Sequence, residues 1–176
     1  MGQQPLVVHL DTSVLIFMLE RRYNLKDYQK DLFNQAKKLR RNLSRMNCTV
    51  KISIVALGEL TNIALKNDRI YLIENLRQLG REFGEKLKTC YSPRLCSKCN
   101  IEFHNVVARL LQSDKRLIYN PADALILAFA VYDEEATRFY TTDSSILISK
   151  GIRNEIEQIR KDYGYPELII SGLHAR

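Results

Sequence analysis

The sequence predicts an α/β fold in which helices cover both faces of a central parallel sheet, giving a three-layer α/β/α domain. Short apolar runs rich in β-branched residues alternate with longer segments of helical period. Such alternation favours parallel strand pairing through right-handed crossovers. The chain has 176 residues, of which 45% are hydrophobic and 27% charged, as in one ordinary globular domain. We therefore expect a single domain over residues 1 to 176.

Four apolar runs predict strands. They lie at residues 5 to 10, 49 to 55, 138 to 142 and 167 to 170. The first run, PLVVHL, is followed by the turn-like DTS, so a helix should begin near Thr12.

The intervening segments have helical period. In the stretch from 26 to 46, the apolar residues Leu32, Ala36, Leu39 and Leu43 recur at spacings of three and four. Further helices are predicted at 56 to 66, 69 to 88, 102 to 113, 121 to 135 and near 153 to 162. The helix from residue 121 should have Asn120 as its N-cap, followed by proline at its first position.

The net charge favours a polyanionic partner. Lysine and arginine total 27 against 20 acidic residues, giving a charge of +7 and a pI of about 9.3. Such a balance suits nucleic acid, although charge alone does not define a fold. The apolar runs ALILAFAV and SIVAL are too short to span a bilayer, and the MGQQP start lacks a signal-peptide pattern. We expect a cytoplasmic protein with no membrane partner.

Four carboxylates are expected to meet at one edge of the sheet. Asp11 ends the first strand and Asp143 the third, and ligand sites of parallel sheets lie outside the carboxyl ends of strands. Glu59 lies in the helix after the second strand, and Asp123 is third in the helix from residue 121. Each acid could instead cap a helix, face a helix dipole or form an ion pair. For the first helix, we expect Asp11 to face the cleft and Thr12 to be the cap.

Converging carboxylates favour a bound cation. Each close pair repels by about 4 kcal/mol at an effective dielectric of about 20. Hard divalent cations such as Mg²⁺ suit oxygen ligands, and two such ions can activate a water for phosphodiester hydrolysis. An acidic site in a basic protein then makes sense, because lysine and arginine elsewhere can hold the flanking nucleic-acid backbone.

Four segments resemble the acidic motifs of the PIN-domain ribonucleases, which include the VapC-like toxins of toxin-antitoxin pairs. The segments are HLDTSVLI, SIVALGEL, NPADALILAFA and FYTTDSSIL, and the match runs from about Leu6 to Leu147. The resemblance implies a metal-dependent endoribonuclease, with RNA cleaved to a 5′-phosphate and a 3′-hydroxyl, a homodimer and, for a toxin, an antitoxin partner. It assigns Mg²⁺ or Mn²⁺ binding and catalysis to Asp11, Glu59, Asp123 and Asp143, with supporting hydroxyls from Ser13 and Thr141.

The chain departs from the family pattern in two places. Many relatives have an Asp or Asn where this chain has Ser145, which bears on the second metal site. Compact members also lack anything like the cysteine-containing insertion at about residues 85 to 105. A second hypothesis is therefore a catalytically weak or inactive nucleic-acid-binding or scaffolding module that keeps the fold, with or without stabilisation by zinc. A third hypothesis, a zinc-stabilised interaction domain, depends wholly on the cysteines.

The insertion offers the zinc ligands Cys90, Cys96, Cys99 and His104. A tetrahedral structural site would need all four, or Cys48 in place of the histidine. Their spacing is irregular for a zinc module, so free thiols and a disulfide remain alternatives.

Two other features suggest weaker hypotheses. His9 shares strand parity with Asp11, but an acid-base ribonuclease would need a second positioned histidine, so we expect His9 to be packed. The basic run at 37 to 45, KKLRRNLSR, could follow a phosphate backbone, but a solvated helix face is the preferred interpretation.

Overall fold

The protein, represented by a computed structural model, is described here over residues 6–22, 25–91 and 100–173, except for the side chains of residues 100 and 101. Within these ranges the strands are β1 (Leu6–Leu10), β2 (Cys48–Ser53), β3 (Leu87–Cys90), β4 (Arg138–Tyr140) and β5 (Ile169–Ser171). The α-helices are α1 (Thr12–Leu19), α2 (Asp27–Arg45), α3 (Ile54–Lys66), α4 (Tyr71–Phe83), α5 (Asn100–Ser113), α6 (Lys115–Tyr119), α7 (Pro121–Tyr132), α8 (Ser144–Ile148) and α9 (Lys150–Asp162).

The five strands form one parallel sheet in the order β3-β2-β1-β4-β5. From β1 the chain proceeds outward to β2 and β3, then returns to the opposite side of β1 for β4 and β5. The strand order therefore reverses between β1 and β4, which in open parallel sheets is where ligands bind. The predicted parallel sheet is confirmed.

Helices flank the sheet in two groups. Helix α1 contacts α2, α3 and α4, whereas α5, α7 and α9 contact one another, and α3 also meets α7. The predicted three-layer α/β/α arrangement is confirmed. Its centre includes Val8, Val50 and Phe139 from the strands, all almost completely buried. No helix in the described ranges is both long enough and apolar enough to cross a membrane.

The continuous helix predicted over 69 to 88 is wrong. Helix α4 ends at Phe83, because Gly84 leaves the helical conformation with φ 55° and ψ −131°, a positive-φ conformation that glycine adopts without strain. A short 3-10 turn follows at Gly84–Lys86, and Leu87–Cys90 then pairs with β2 as an edge strand.

Other boundaries also differ from the sequence prediction. Two short helices, α6 and α8, were not predicted, and α9 begins earlier than expected, at Lys150. The last strand is Ile169–Ser171 rather than 167 to 170. Helix α7 ends at Tyr132, three residues before the predicted end, and most of it is buried, so the run ALILAFAV has no exposed polar face.

The carboxyl end of α7 is held by a buried arginine. The Arg160 side chain, on α9, is 2% exposed. Its guanidinium donates hydrogen bonds to the carbonyl oxygens of Val131, Asp133, Ala136 and Pro166 at 2.6 to 3.2 Å. Burial lowers the pKa of Arg160. The cation satisfies carbonyls that the helix end leaves without intrahelical partners.

Candidate active site

Asp11 lies at the carboxyl end of β1, at the point where the strand order reverses. Its backbone N–H donates to the Tyr140 carbonyl at 3.0 Å, so β1 and β4 stay paired up to this residue. Asp11 occupies the N-cap position of α1, but its side chain makes no capping hydrogen bond, and the residue is only 4% exposed. The Thr12 hydroxyl instead donates to the Ala56 carbonyl at 3.5 Å. The prediction that Thr12 caps the helix is wrong, because Thr12 is already helical and is turned towards α3.

Two hydroxyls fix the orientation of the Asp11 carboxylate. Ser13 Oγ donates to Asp11 Oδ2 at 2.7 Å, and Thr141 Oγ1 donates to the same oxygen at 2.6 Å. Each hydroxyl is anchored by the loop after β4, since Thr142 N–H donates to Ser13 Oγ and Asp143 N–H donates to Thr141 Oγ1. The two residues expected to support the site are thus in contact with its first carboxylate.

Asp143 begins α8 as its N-cap. Its Oδ1 accepts a hydrogen bond from the Ser145 backbone N–H at 2.7 Å and another from the Ser145 hydroxyl. One oxygen of this carboxylate therefore has the capping role that the Ser-Ser turn suggested. Ser145, where many members of the resembled family have an Asp or Asn, serves here to orient Asp143.

Asp123 is the third residue of α7. The Asn120 side-chain amide donates to Asp123 Oδ2 at 2.5 Å. Asn120 does occupy the predicted N-cap position, but its side chain makes no capping hydrogen bond to the helix backbone. The amide orients the acid instead.

The four acids share one electrostatic environment. The pKa of Asp123 is raised to about 7, first by burial and then by the negative charges of Asp11, Asp143 and Glu59, in that order, while the Asn120 hydrogen bond opposes the increase. Burial also raises the pKa of Asp11, and the negative charge of Glu59 adds to this increase. The hydrogen bonds from Ser13 and Thr141 act in the opposite direction and lower the pKa. Asp123 is therefore repelled by carboxylates from three other parts of the fold, and Asp11 and Glu59 also repel each other.

The donor set suits a hard divalent cation, although the carboxylates do not form a closed cage. Over the described ranges, no group of three or more His, Cys, Asp or Glu side chains is arranged to hold a metal ion. Mg²⁺ does not need such a cage, because it is commonly bound through one or two carboxylates together with waters and substrate phosphates. The mutual repulsion that raises the Asp123 pKa is what a divalent cation would relieve.

The zinc hypothesis lies partly outside the described residues, because Cys96 and Cys99 are not among them. Cys90 is half-buried on β3, and His104 is exposed on α5. Cys48 and Cys90 are free thiols, and burial raises the pKa of both.

His9 belongs to a buried ionic network away from solvent. It is 2% exposed, and its Nε2 lies 2.7 Å from Asp133 Oδ2, which also accepts from Lys51 Nζ at 2.5 Å. Burial lowers the pKa of His9. Burial alone would raise the pKa of Asp133, but hydrogen bonds from His9 and Lys51 hold it well below its usual range. The sequence did not reveal this network, although its strand pairing places Lys51 directly opposite His9.

Some residues of the basic run in α2 form hydrogen bonds within the protein, and others are exposed to solvent. Lys37 Nζ and Arg40 Nη1 both donate to the Met18 carbonyl near the end of α1, at 2.9 and 3.3 Å. Lys38 and Arg41 are exposed. Part of the run therefore stabilises the end of a helix rather than presenting charge to a ligand.

Comparisons of the chain with protein-family models, with curated proteins and with solved structures found no match.

Proposed function

We propose that this protein is a metal-dependent endoribonuclease of PIN type, which hydrolyses RNA phosphodiester bonds with Mg²⁺ or Mn²⁺. The observation that supports the proposal is that four carboxylates lie near the point where the strand order reverses, close enough for Asp11, Asp143 and Glu59 to raise the pKa of Asp123. Structural caps and ion pairs would not need four acids to repel one another. The net charge of +7 supports a polyanionic substrate around this acidic centre.

Each acid has a distinct role in this proposal. Asp11, Asp123 and Asp143 would hold the metal directly, and Glu59 would act through a water. When bound, the metal supplies an activated water and charge stabilisation at the leaving oxygen. Ser13 and Thr141 hold the Asp11 carboxylate in one orientation, as Ser145 does for Asp143 and Asn120 for Asp123. No side-chain nucleophile is required.

The proposal includes a cellular setting that only the resemblance and the composition support. We place the protein in the cytoplasm, as a homodimer acting on RNA. Its toxin form would require an antitoxin protein that suppresses cleavage.

Cleavage of single-stranded RNA in Mg²⁺ or Mn²⁺ tests the proposal. Asp11→Asn and Asp123→Asn should each lower the rate at least about 100-fold, since each removes a charge that positions the reacting groups. Asp31→Asn, a change of the same kind on the exposed face of α2, should keep wild-type activity. Equal cleavage by the wild type and both site variants would indicate a contaminating nuclease and contradict the proposal.

Two observations favour a second candidate, a PIN-fold module that binds RNA without appreciable catalysis. Ser145 stands where many members of the resembled family have an Asp or Asn, and the described carboxylates form no ready-made metal cage. Fluorescence polarisation with labelled single-stranded RNA, beside the cleavage assay, separates the candidates. Tight binding with no metal-dependent product at any Mn²⁺ concentration would favour the binding module.

A further inference from the structure

A surface cleft shares one residue with the candidate active site. An open cleft of about 800 Å³ begins at Ser13, the residue whose hydroxyl donates to Asp11. Apolar side chains of Ile16, Phe17 and Leu25 contribute to its lining. The cleft therefore shares Ser13 with the candidate active site and offers an apolar surface.

A stacked arginine-tyrosine pair forms one side of the cleft. The guanidinium carbon of Arg21 lies over the Tyr71 ring, 4.6 Å from its centroid. Both residues are positioned by Glu20, whose side chain is fully buried. Glu20 Oε1 accepts from the Arg21 backbone N–H at 2.9 Å and from the Tyr71 hydroxyl, and the carboxylate also pairs with Arg69. The aromatic surface is thus fixed by a buried carboxylate.

The rim of the cleft carries polar side chains from α2 and from the end of α3. These are Gln29, Asn67 and Asp68. Asp68 adopts a positive φ of 52°, the left-handed conformation that ends many helices and that aspartate tolerates. The following Arg69 N–H donates to the Ala64 carbonyl at 2.7 Å, and this turn brings Arg69 back to Glu20.

The charges lining the cleft nearly cancel. Arg21 and Arg69 are matched by Glu20 and Asp68, so the cleft lacks the excess positive charge that a phosphate site would need. The cleft combines three features: the guanidinium-aromatic surface of Arg21 and Tyr71, apolar side chains, and polar groups that can donate or accept hydrogen bonds. Proteins recognise unstacked RNA bases with this combination, by stacking on one face and hydrogen bonding at the edge.

We infer that the cleft binds one nucleobase of single-stranded RNA beside the scissile phosphate, and so determines which sequence is cut. The inference rests on the proposed nuclease function for its biological meaning. The base would stack against the Arg21-Tyr71 pair and present its edge to Gln29, Asn67 and Asp68. Stacking of this kind tolerates any base, so selectivity would come from the polar rim.

Binding of fluorescein-labelled single-stranded RNA to the metal-free protein in EDTA tests the cleft without any need for catalysis. Arg21→Ala should weaken binding about 10-fold, the effect expected for one stacked base. Arg22→Ala is the matched control, since Arg22 is the exposed neighbour, has the same charge and is not one of the residues that line the cleft. Equal losses in both variants would show that only net charge matters and would overturn the inference.

A second matched pair isolates the aromatic ring. Tyr71→Phe and Tyr71→Leu both remove the hydroxyl that contacts Glu20, but only the leucine variant removes the ring face. We expect Tyr71→Phe to bind RNA within about 3-fold of the wild type and Tyr71→Leu to bind about 10-fold more weakly. Equal affinities for the two variants, with both folded by circular dichroism, would contradict a stacking role.

Mapping the cuts in a randomised RNA separates failure of the cleft from failure of the nuclease proposal. The wild type should prefer one or two bases at a single position beside the cut, and Arg21→Ala should flatten that preference while Arg22→Ala keeps it. Unchanged preference in Arg21→Ala with normal cleavage would overturn the cleft and leave the nuclease standing. Base-selective RNA binding without any cleavage would contradict the nuclease proposal and leave the cleft inference standing.

Discussion

The raised pKa of Asp123 makes a prediction about stability that does not depend on activity. In the folded, metal-free protein this pKa lies at about 7, above its ordinary value of 3.8. The folded state therefore retains a proton that the unfolded chain releases between these two pH values. Stability should fall as the pH rises through this range, and the full penalty should be present above about pH 7. Asp123→Asn, which cannot ionise, should escape the penalty.

The magnitude follows from the pKa difference. Each pKa unit corresponds to about 1.4 kcal/mol, so the difference between 3.8 and about 7 sets an upper bound of about 4 kcal/mol. Asp123 is only partly buried, and solvent screening reduces this to about 2 kcal/mol. The ionised acid also gains up to about 1 kcal/mol from the amino end of α7, which the variant loses. We expect Asp123→Asn to be more stable than the wild type by about 1 to 2 kcal/mol at about pH 8, and equally stable at about pH 4.

Urea unfolding in EDTA at these two pH values measures the difference, with Asp31→Asn as the control on the exposed face of α2. Adding Mn²⁺ at about pH 8 should then raise the free energy of unfolding of the wild type, because the ion binds the folded state and relieves the repulsion. The gain should be smaller in Asp123→Asn. A variant less stable than the wild type at about pH 8, or a difference independent of pH, would refute the convergence of the four acids.

Two further predictions concern the stability of the fold: one tests glycine packing and the other tests the hydrogen bonds of Arg160. Gly151→Ala should destabilise the protein by about 1 to 3 kcal/mol, because an added Cβ would lie 2.6 Å from the Ser113 carbonyl oxygen. Gly80→Ala should stabilise the protein by about 0.5 to 1 kcal/mol, because Gly80 lies in helix α4 and an added Cβ would have no neighbour within 4 Å. Chemical denaturation of the two glycine variants tests whether their effects on the free energy of unfolding have opposite signs. Arg160→Met should lower the free energy of unfolding by about 3 kcal/mol or more, because several buried carbonyl oxygens lose their hydrogen-bond donor. Lys161→Met, at the exposed neighbouring residue, should change it by less than about 0.5 kcal/mol. Equally small changes in the free energy of unfolding for Arg160→Met and Lys161→Met, measured by denaturation, would contradict the capping role of Arg160.

The sequence was most informative where local pattern and topology agree. Strand and helix alternation was enough to predict the parallel sheet, because parallel strands need helical crossovers. Asp11 and Asp143 could be placed on one rim for the same reason, since Asp11 directly follows β1 and Asp143 lies three residues beyond the end of β4. Neither inference required knowledge of any specific contact.

What the sequence did not reveal depends on contacts between distant residues. Leu87–Cys90 is a strand only because it pairs with β2, and four residues are too few to show a period of their own. The fully buried Arg160 was equally hidden, because its carbonyl partners lie on α7 and in the following loops. The polar partners of the site acids have the same origin: Thr141 reaches Asp11 across 130 residues of sequence.

The hydrogen bonds around the acids also bear on which cation fits. Asp11 Oδ2 accepts two hydroxyls, Asp143 Oδ1 accepts from Ser145, and Asp123 Oδ2 accepts from Asn120. Each of these three carboxylates therefore has one oxygen engaged within the protein, which favours binding of an ion through the other oxygen. Ca²⁺ often takes both oxygens of a carboxylate, whereas Mg²⁺ binds at shorter distance, keeps several waters and needs few protein ligands. Ser145 engages Asp143 Oδ1 and leaves Oδ2 available, so this departure from the pattern of the resembled family is compatible with the smaller ion of the proposed function.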